Sequence, residues 1–143
     1  MERFATTDGG EWAPLIAAAN AARANAYAPY SNYAVGAALL CDDGTIVGGC
    51  NVENASYGGT ICAERSAVVS AVGAGKRAFV ACVVVTQSDP PGSPCGFCRQ
   101  VLRELAHDLP ILLVSASSGA RRIVRLAQLL PDAFDASDLA RAR

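Results

Sequence analysis

The chain has 143 residues with 12 basic and 13 acidic side chains, a formal net charge of −1, and is 52% hydrophobic and 17% charged. That balance excludes a protein that grips DNA or RNA by neutralising phosphates, since the densest basic run is only Arg121-Arg122-Ile123-Val124-Arg125. It also excludes disorder and collagen-like structure, and it suits one domain, residues 1–143, burying roughly 68–70% of its unfolded surface.

In chain order, the alanine-rich stretch from Glu11 to Ala26 predicts a helix, with Pro14 tolerated in its first turn and a stop before Pro29. Val35 to Cys41 and Thr45 to Val52 are apolar segments around Asp42-Asp43-Gly44, the chemistry of a hairpin turn. A glycine-rich loop, Asn54 to Thr60, leads to a second helix over Cys62 to Val72, and Ala78 to Thr86 reads as a central strand buried on both faces. The loop Gln87 to Pro94 precedes a third helix, Cys95 to His107. Ile111 to Ser115 and Arg122 to Val124 are further strands, and Leu126 to Leu130 and Ser137 to Arg141 short helices. This order predicts an α/β fold, one mixed sheet of about five strands covered by helices. No window approaches the ~20 apolar residues of a membrane span, and nothing at the start reads as an export signal, so a cytoplasmic protein is expected.

Six cysteines stand against a single histidine, His107, so any metal must be held mainly through sulfur. A disulfide framework is not expected in a reducing cytosol and a chain long enough to form its own core. Two patterns stand out, Cys62-Ala63-Glu64 and Pro94-Cys95-Gly96-Phe97-Cys98, and in both a cysteine sits where a loop becomes a helix. Backbone N–H groups and the positive end of the helix dipole favour thiolate there. Cys95 and Cys98, one helical turn apart, can clasp one zinc ion, and Cys62 supplies a third sulfur, leaving a fourth tetrahedral position for water as in catalytic sites. Cys62 and Glu64 cannot share a face inside a regular helix, so Cys62 belongs at or before the first turn. A zinc ion with three thiolates carries net negative charge, and Arg65 and Arg99, each next to a motif residue, are candidate donors to the sulfurs that would offset it. Cys41, Cys50 and Cys82 lie in strand-like segments and read as core thiols. An isolated Cys-x-x-Cys is also compatible with a thiol redox pair or a zinc-binding module without hydrolytic chemistry.

Cys-x-Glu followed by Pro-Cys-x-x-Cys resembles the zinc deaminase signature. Further segments narrow it: Ala28-Pro29-Tyr30-Ser31-Asn32-Tyr33-Ala34-Val35-Gly36, Gly49-Cys50-Asn51-Val52-Glu53-Asn54, Cys62-Ala63-Glu64-Arg65, Pro94-Cys95-Gly96-Phe97-Cys98-Arg99-Gln100 and Leu129-Leu130-Pro131-Asp132-Ala133-Phe134. Together, from about residue 11 to 134, they resemble the small, homotetrameric, all-cysteine-ligand cytidine deaminases. The resemblance implies a three-layer α/β/α sandwich, one Zn2+ per subunit on Cys62, Cys95 and Cys98, and Glu64 as the proton carrier in hydrolysis of cytidine and deoxycytidine to the uridines and ammonia, a reaction of pyrimidine salvage. It implies that Asn51 and Glu53 bind the ribose, that Ala63 contacts the base through its backbone, and that Tyr33, at a position often Phe, lies against the pyrimidine. It implies that Phe134 reaches the site of a neighbouring subunit in a homotetramer with shared active sites. The partners expected are therefore a small nucleoside and further copies of the chain, with no nucleic acid and no membrane. A deaminase of a related aminopyrimidine nucleoside such as blasticidin S is the alternative within the same chemistry.

Overall fold

The computed structural model describes residues 2–142. A 3-10 turn at Gly10–Trp12 leads into α1, Ala13–Arg23, with Pro in its first turn, where a missing N–H costs nothing. Trp12, Leu15 and Ala19 recur at helical spacing and are all buried. The expected continuation to Ala26 fails because the last bonds tighten: Asn25 and Ala26 donate to Ala22 and Arg23, three residues back.

β1 (Gly36–Cys41) and β2 (Ile46–Cys50) form the hairpin, turned through Gly44 at φ +88°. α2 is Ala63–Gly73, β3 Phe79–Thr86, α3 Gly96–Leu105, β4 Pro110–Ser115 and β5 Arg121–Arg125, followed by α4, Leu126–Leu129, and α5, Ala136–Arg141. The five strands form one sheet in the order β2-β1-β3-β4-β5. β3 and β4 pair in parallel, joined by the α3 crossover, and the other pairs are antiparallel.

Strand alternation builds the two cores. Ala37, Leu39, Cys82, Val84, Ile111 and Leu113 face α2 and α3, while Ala38, Leu40, Val83, Val85, Leu112 and Val114 face α1. Because both sheet faces are covered, the strands read as continuous apolar runs, and the architecture is the three-layer α/β/α sandwich.

Three local expectations are corrected. β2 ends at Cys50, after which Val52 makes isolated bridges to Tyr27 and Ile61, so Cys50 is half-buried, whereas Cys41 and Cys82 are core. α3 stops at Leu105, since Ala106 turns extended (φ −149°, ψ 117°) as the chain enters the core at Leu109, which leaves His107 in the turn beyond the helix.

Candidate active site

Both cysteine motifs fold as helix starts. Cys62 is the residue before the first turn of α2 and Cys95 the residue before that of α3, each with extended backbone, and Cys98 lies within the first turn of α3. The three Sγ atoms lie within 4.8 Å of one another. Tetrahedral zinc with Zn–S bonds near ~2.3 Å needs sulfurs about 3.8 Å apart, so the cluster fits the ion after small rotations. The ends of two helix dipoles converge on it.

Packing brings those helix starts together. A Cβ on Gly49 of β2 would stand 2.4 Å from Ala67 N and 2.6 Å from Ala63 O, so glycine there allows α2 to lie directly on the strand. Glu64, second in α2, is thereby buried at 5% exposure and lines the same cleft as Cys62 and Cys95. Burial pushes its carboxyl pKa up, and the neighbouring Cys62 sulfur acts in the same direction. Against the effect of burial, the hydrogen bond from the Cys98 thiol and the nearby Arg65 guanidinium pull the Cys62 thiol down, which favours thiolate at this ligand position.

Arg65 Nη2 lies 3.4 Å from Cys62 Sγ, with its Cζ 4.1 Å from the Phe97 ring centroid. Arg99 does not share that role. Its Nε donates to Pro94 O at 2.8 Å, Nη1 to Leu129 O at 2.9 Å and Nη2 to Ser93 Oγ at 3.2 Å, so the expectation that it donates to sulfur is corrected. The planar fork is spent on the carbonyls of the loop that delivers Cys95 and of the end of α4.

The cleft has a volume of about 450 Å³, within the range of small-molecule sites. Ser31, Tyr33, Asn51, Glu53, Ala63 and Glu64 are among its lining residues. Asn51 is buried; its Nδ2 donates to Tyr33 O at 2.7 Å and its Oδ1 accepts from Val35 N at 2.9 Å, so the amide clamps the strand entering β1. The Glu53 carboxylate accepts from Tyr30 N at 2.9 Å, from Ser31 N at 3.1 Å and from the Ser31 hydroxyl, and that hydroxyl holds its pKa below the usual value. Phe134 lies away from the cleft, 57% exposed, with its carbonyl accepting from Gln100 Nε2 at 2.8 Å.

Sequence reasoning missed Val84, Thr86, Gly92 and Ser93, which also line the cleft. Thr86, the one polar residue ending a run of apolar ones in β3, carried the only local signal.

The geometry matches what comparison with known proteins finds. The model of the cytidine and deoxycytidylate deaminase zinc-binding region matches residues 12–112. A cytidine deaminase of Sporosarcina psychrophila is 47% identical over 129 residues, 90% of this chain and 94% of that protein. One from Mycobacterium tuberculosis is 49% identical over 138 residues, 93% and 96% of the two chains. Among solved structures, the cytidine deaminase of Burkholderia pseudomallei superposes with a TM-score of 0.81 at 52% identity, covering 85% of this chain and 98% of that one. A protein with the deaminase sandwich, three convergent sulfurs and a buried glutamate beside them belongs to the zinc-dependent cytidine and deoxycytidylate deaminase family.

Proposed function

We propose that the chain, acting as a single catalytic domain, hydrolyses cytidine and deoxycytidine to uridine and deoxyuridine with release of ammonia. The observation that carries this reading is the convergence of Cys62, Cys95 and Cys98 within 4.8 Å beside buried Glu64, in a cleft that also holds Asn51 and Glu53. Cys62, Cys95 and Cys98 hold the zinc ion, which when bound polarises water so that it is a nucleophile near neutral pH.

Glu64 takes one proton from the attacking water and passes it to ring N3, then takes the second from the resulting C4 hydroxyl and passes it to the amine, so that the C4–N bond breaks, ammonia leaves and the C4 carbonyl forms. Burial raises the pKa of the Glu64 carboxyl, which strengthens it as a proton acceptor. Three of the roughly four acceptor positions of the Glu53 carboxylate are taken by Tyr30 and Ser31, leaving one for the ribose 3′-hydroxyl. One N–H of the Asn51 amide is likewise free for the sugar. Recognition through the 3′-hydroxyl does not require a 2′-hydroxyl, which is why both nucleosides are substrates. The Ala63 backbone contacts the base, and the Tyr33 ring lies against it.

We infer further that the protein works in the cytoplasm, in pyrimidine salvage, as a homotetramer in which Phe134 reaches a neighbouring subunit's site. Support comes from large apolar side chains left open to solvent, with Tyr57 76%, Phe97 65% and Tyr27 55% exposed.

The test follows cytidine absorbance with the wild-type protein and the E64Q and C95S variants. Turnover by the wild type, none by zinc-loaded E64Q and zinc depletion in C95S is the expected set. Thiol-dependent disulfide reduction without ammonia release overturns the reading.

A further inference from the structure

Tyr33 enters the cleft from the loop before β1, and Gly92 from the loop between β3 and α3. They meet so closely that a side chain on Gly92 would require Tyr33 to shift. A Cβ there would stand 2.8 Å from Tyr33 Oη, with Thr86 Cγ2 next at 3.4 Å.

The phenol hydroxyl is also bonded. Tyr33 Oη and Ser88 Oγ lie 2.8 Å apart, Ser88 Oγ lies 3.3 Å from Thr86 Oγ1, and Thr86 Oγ1 accepts the Gly92 N–H at 2.9 Å. The circuit therefore closes on the residue against which Tyr33 packs. Tyr33, Thr86 and Gly92 line the cleft wall, and Ser88, which is not among the lining residues, bridges the Tyr33 hydroxyl to Thr86. That wall is joined to both functional ends of the cleft: Asn51 Nδ2 binds the Tyr33 carbonyl, and Gly92 precedes Cys95 by three residues.

We propose that the Tyr33 hydroxyl is a positioning group for deamination, which together with Gly92 sets the width of the cleft wall beside the base. The hydroxyl takes the volume that a side chain at position 92 would fill, and it ties the β3–α3 loop to the aromatic ring. The inference rests on the cytidine reading of the cleft. It concerns substrate fit, so its effects fall on KM and on nucleoside affinity rather than on the proton steps at Glu64.

The experiment compares wild type, Y33F, G92A and Y33F/G92A, each loaded with zinc, by cytidine kinetics, zinc content, thermal unfolding and calorimetric binding of uridine. Y33F is expected to lose roughly 2- to 13-fold in kcat/KM, mainly through KM, the equivalent of one neutral hydrogen bond. G92A is expected to lose more than about 10-fold through KM, because its methyl overlaps the hydroxyl. The double variant is expected to return to within about 3-fold of Y33F, since the nearest remaining atom then lies 3.4 Å away. Uridine affinity should follow KM, and zinc content should stay constant.

Equal losses from G92A in both backgrounds, or changes in unfolding temperature without changes in KM, overturn the inference alone. If G92A does not fold, folding of Y33F/G92A supports the pairing and failure of both overturns it. A zinc-loaded wild type that does not turn over cytidine overturns the functional reading first, and this inference with it.

Discussion

Arg65 reaches the Sγ of Cys62 across one turn of α2, with Nη2 3.4 Å from the sulfur. The contact aims a permanent positive charge at one of three clustered sulfurs, and the Phe97 ring beneath the guanidinium holds it in place. Three thiolates around a divalent ion repel one another, and a donor to one of them withdraws charge from the cluster. R65A should weaken zinc binding by about 10- to 100-fold, as loss of an outer partner of a metal ligand does. R65K, which keeps the charge and loses the flat contact with Phe97, should fall between. Competition with a chromogenic chelator measures both, and unchanged zinc affinity in R65A would remove the charge-offset argument.

Arg99 provides the contrast, because its hydrogen bonds go to Pro94 O, Leu129 O and Ser93 Oγ. R99M keeps the aliphatic stem and removes these donors, leaving two backbone carbonyls with a lost partner. The expected cost is about 1–3 kcal/mol of stability, or several degrees in Tm for a chain of this size. Zinc affinity should change less than about 3-fold, well below the R65A effect. Calorimetry with the same chelator assay separates the two arginines; a zinc defect in R99M equal to that in R65A would mean that both act on the sulfurs.

How much of this was legible beforehand follows from how local each cause is. Cys62, Cys95 and Cys98 could be placed at helix starts because loop-to-helix transitions leave signals in adjacent residues, and β1, β3 and β4 because buried apolar runs do the same. Arg99 looked like Arg65, each standing next to a motif residue, and only the tertiary fold decides that one fork meets a sulfur and the other the carbonyl of Leu129, thirty residues away. Thr86, Ser88 and Gly92 escape a sequence reading for the same reason, since Tyr33, which bonds Ser88 and packs on Gly92, is brought to them only by the pairing of β1 with β3. The early end of α3 depends on Leu109 being drawn into the core, which no helix propensity contains.

Glu53 ties the substrate cleft to the turn that precedes β1 through its bonds to Tyr30 and Ser31. E53A removes both the proposed sugar acceptor and the brace on that turn. Loss of one charged hydrogen bond is worth roughly 10- to 100-fold in affinity, so KM for cytidine and for deoxycytidine should rise by that factor. S31A, which removes the Ser31 hydroxyl alone, should raise KM less than about 5-fold. Steady-state kinetics on both nucleosides checks this, and a larger loss with cytidine than with deoxycytidine in E53A would place Glu53 at the 2′-hydroxyl.

Asp108 joins three elements at the far end of the sheet. Its Oδ1 accepts from Leu109 N at 2.9 Å and from Ala127 N, in the first turn of α4, at 3.0 Å, and its Oδ2 accepts from Arg125 Nε and Nη2 at 3.2 and 2.9 Å. Partial burial opposes the charge, yet the Ala127 N–H and the Arg125 guanidinium outweigh it and hold the carboxyl below its ordinary value of 3.8. Glu2, 4.0 Å from Arg125 Nη1, faces the same arginine. A folded pKa below the unfolded one means that the stabilisation is fully present above about 3.8 and is lost as pH falls through the folded value. D108A should therefore unfold about 1–2 kcal/mol more easily at neutral pH, through loss of the hydrogen bonds that Asp108 accepts from the Ala127 N–H and the Arg125 guanidinium. The Tm gap between wild type and D108A should stay constant from pH 8 to about 5 and narrow below about 4 as Asp108 takes up its proton. Scanning calorimetry of both proteins across that range decides it: a gap that narrows instead between pH 5 and 8 would assign the effect to a group other than Asp108.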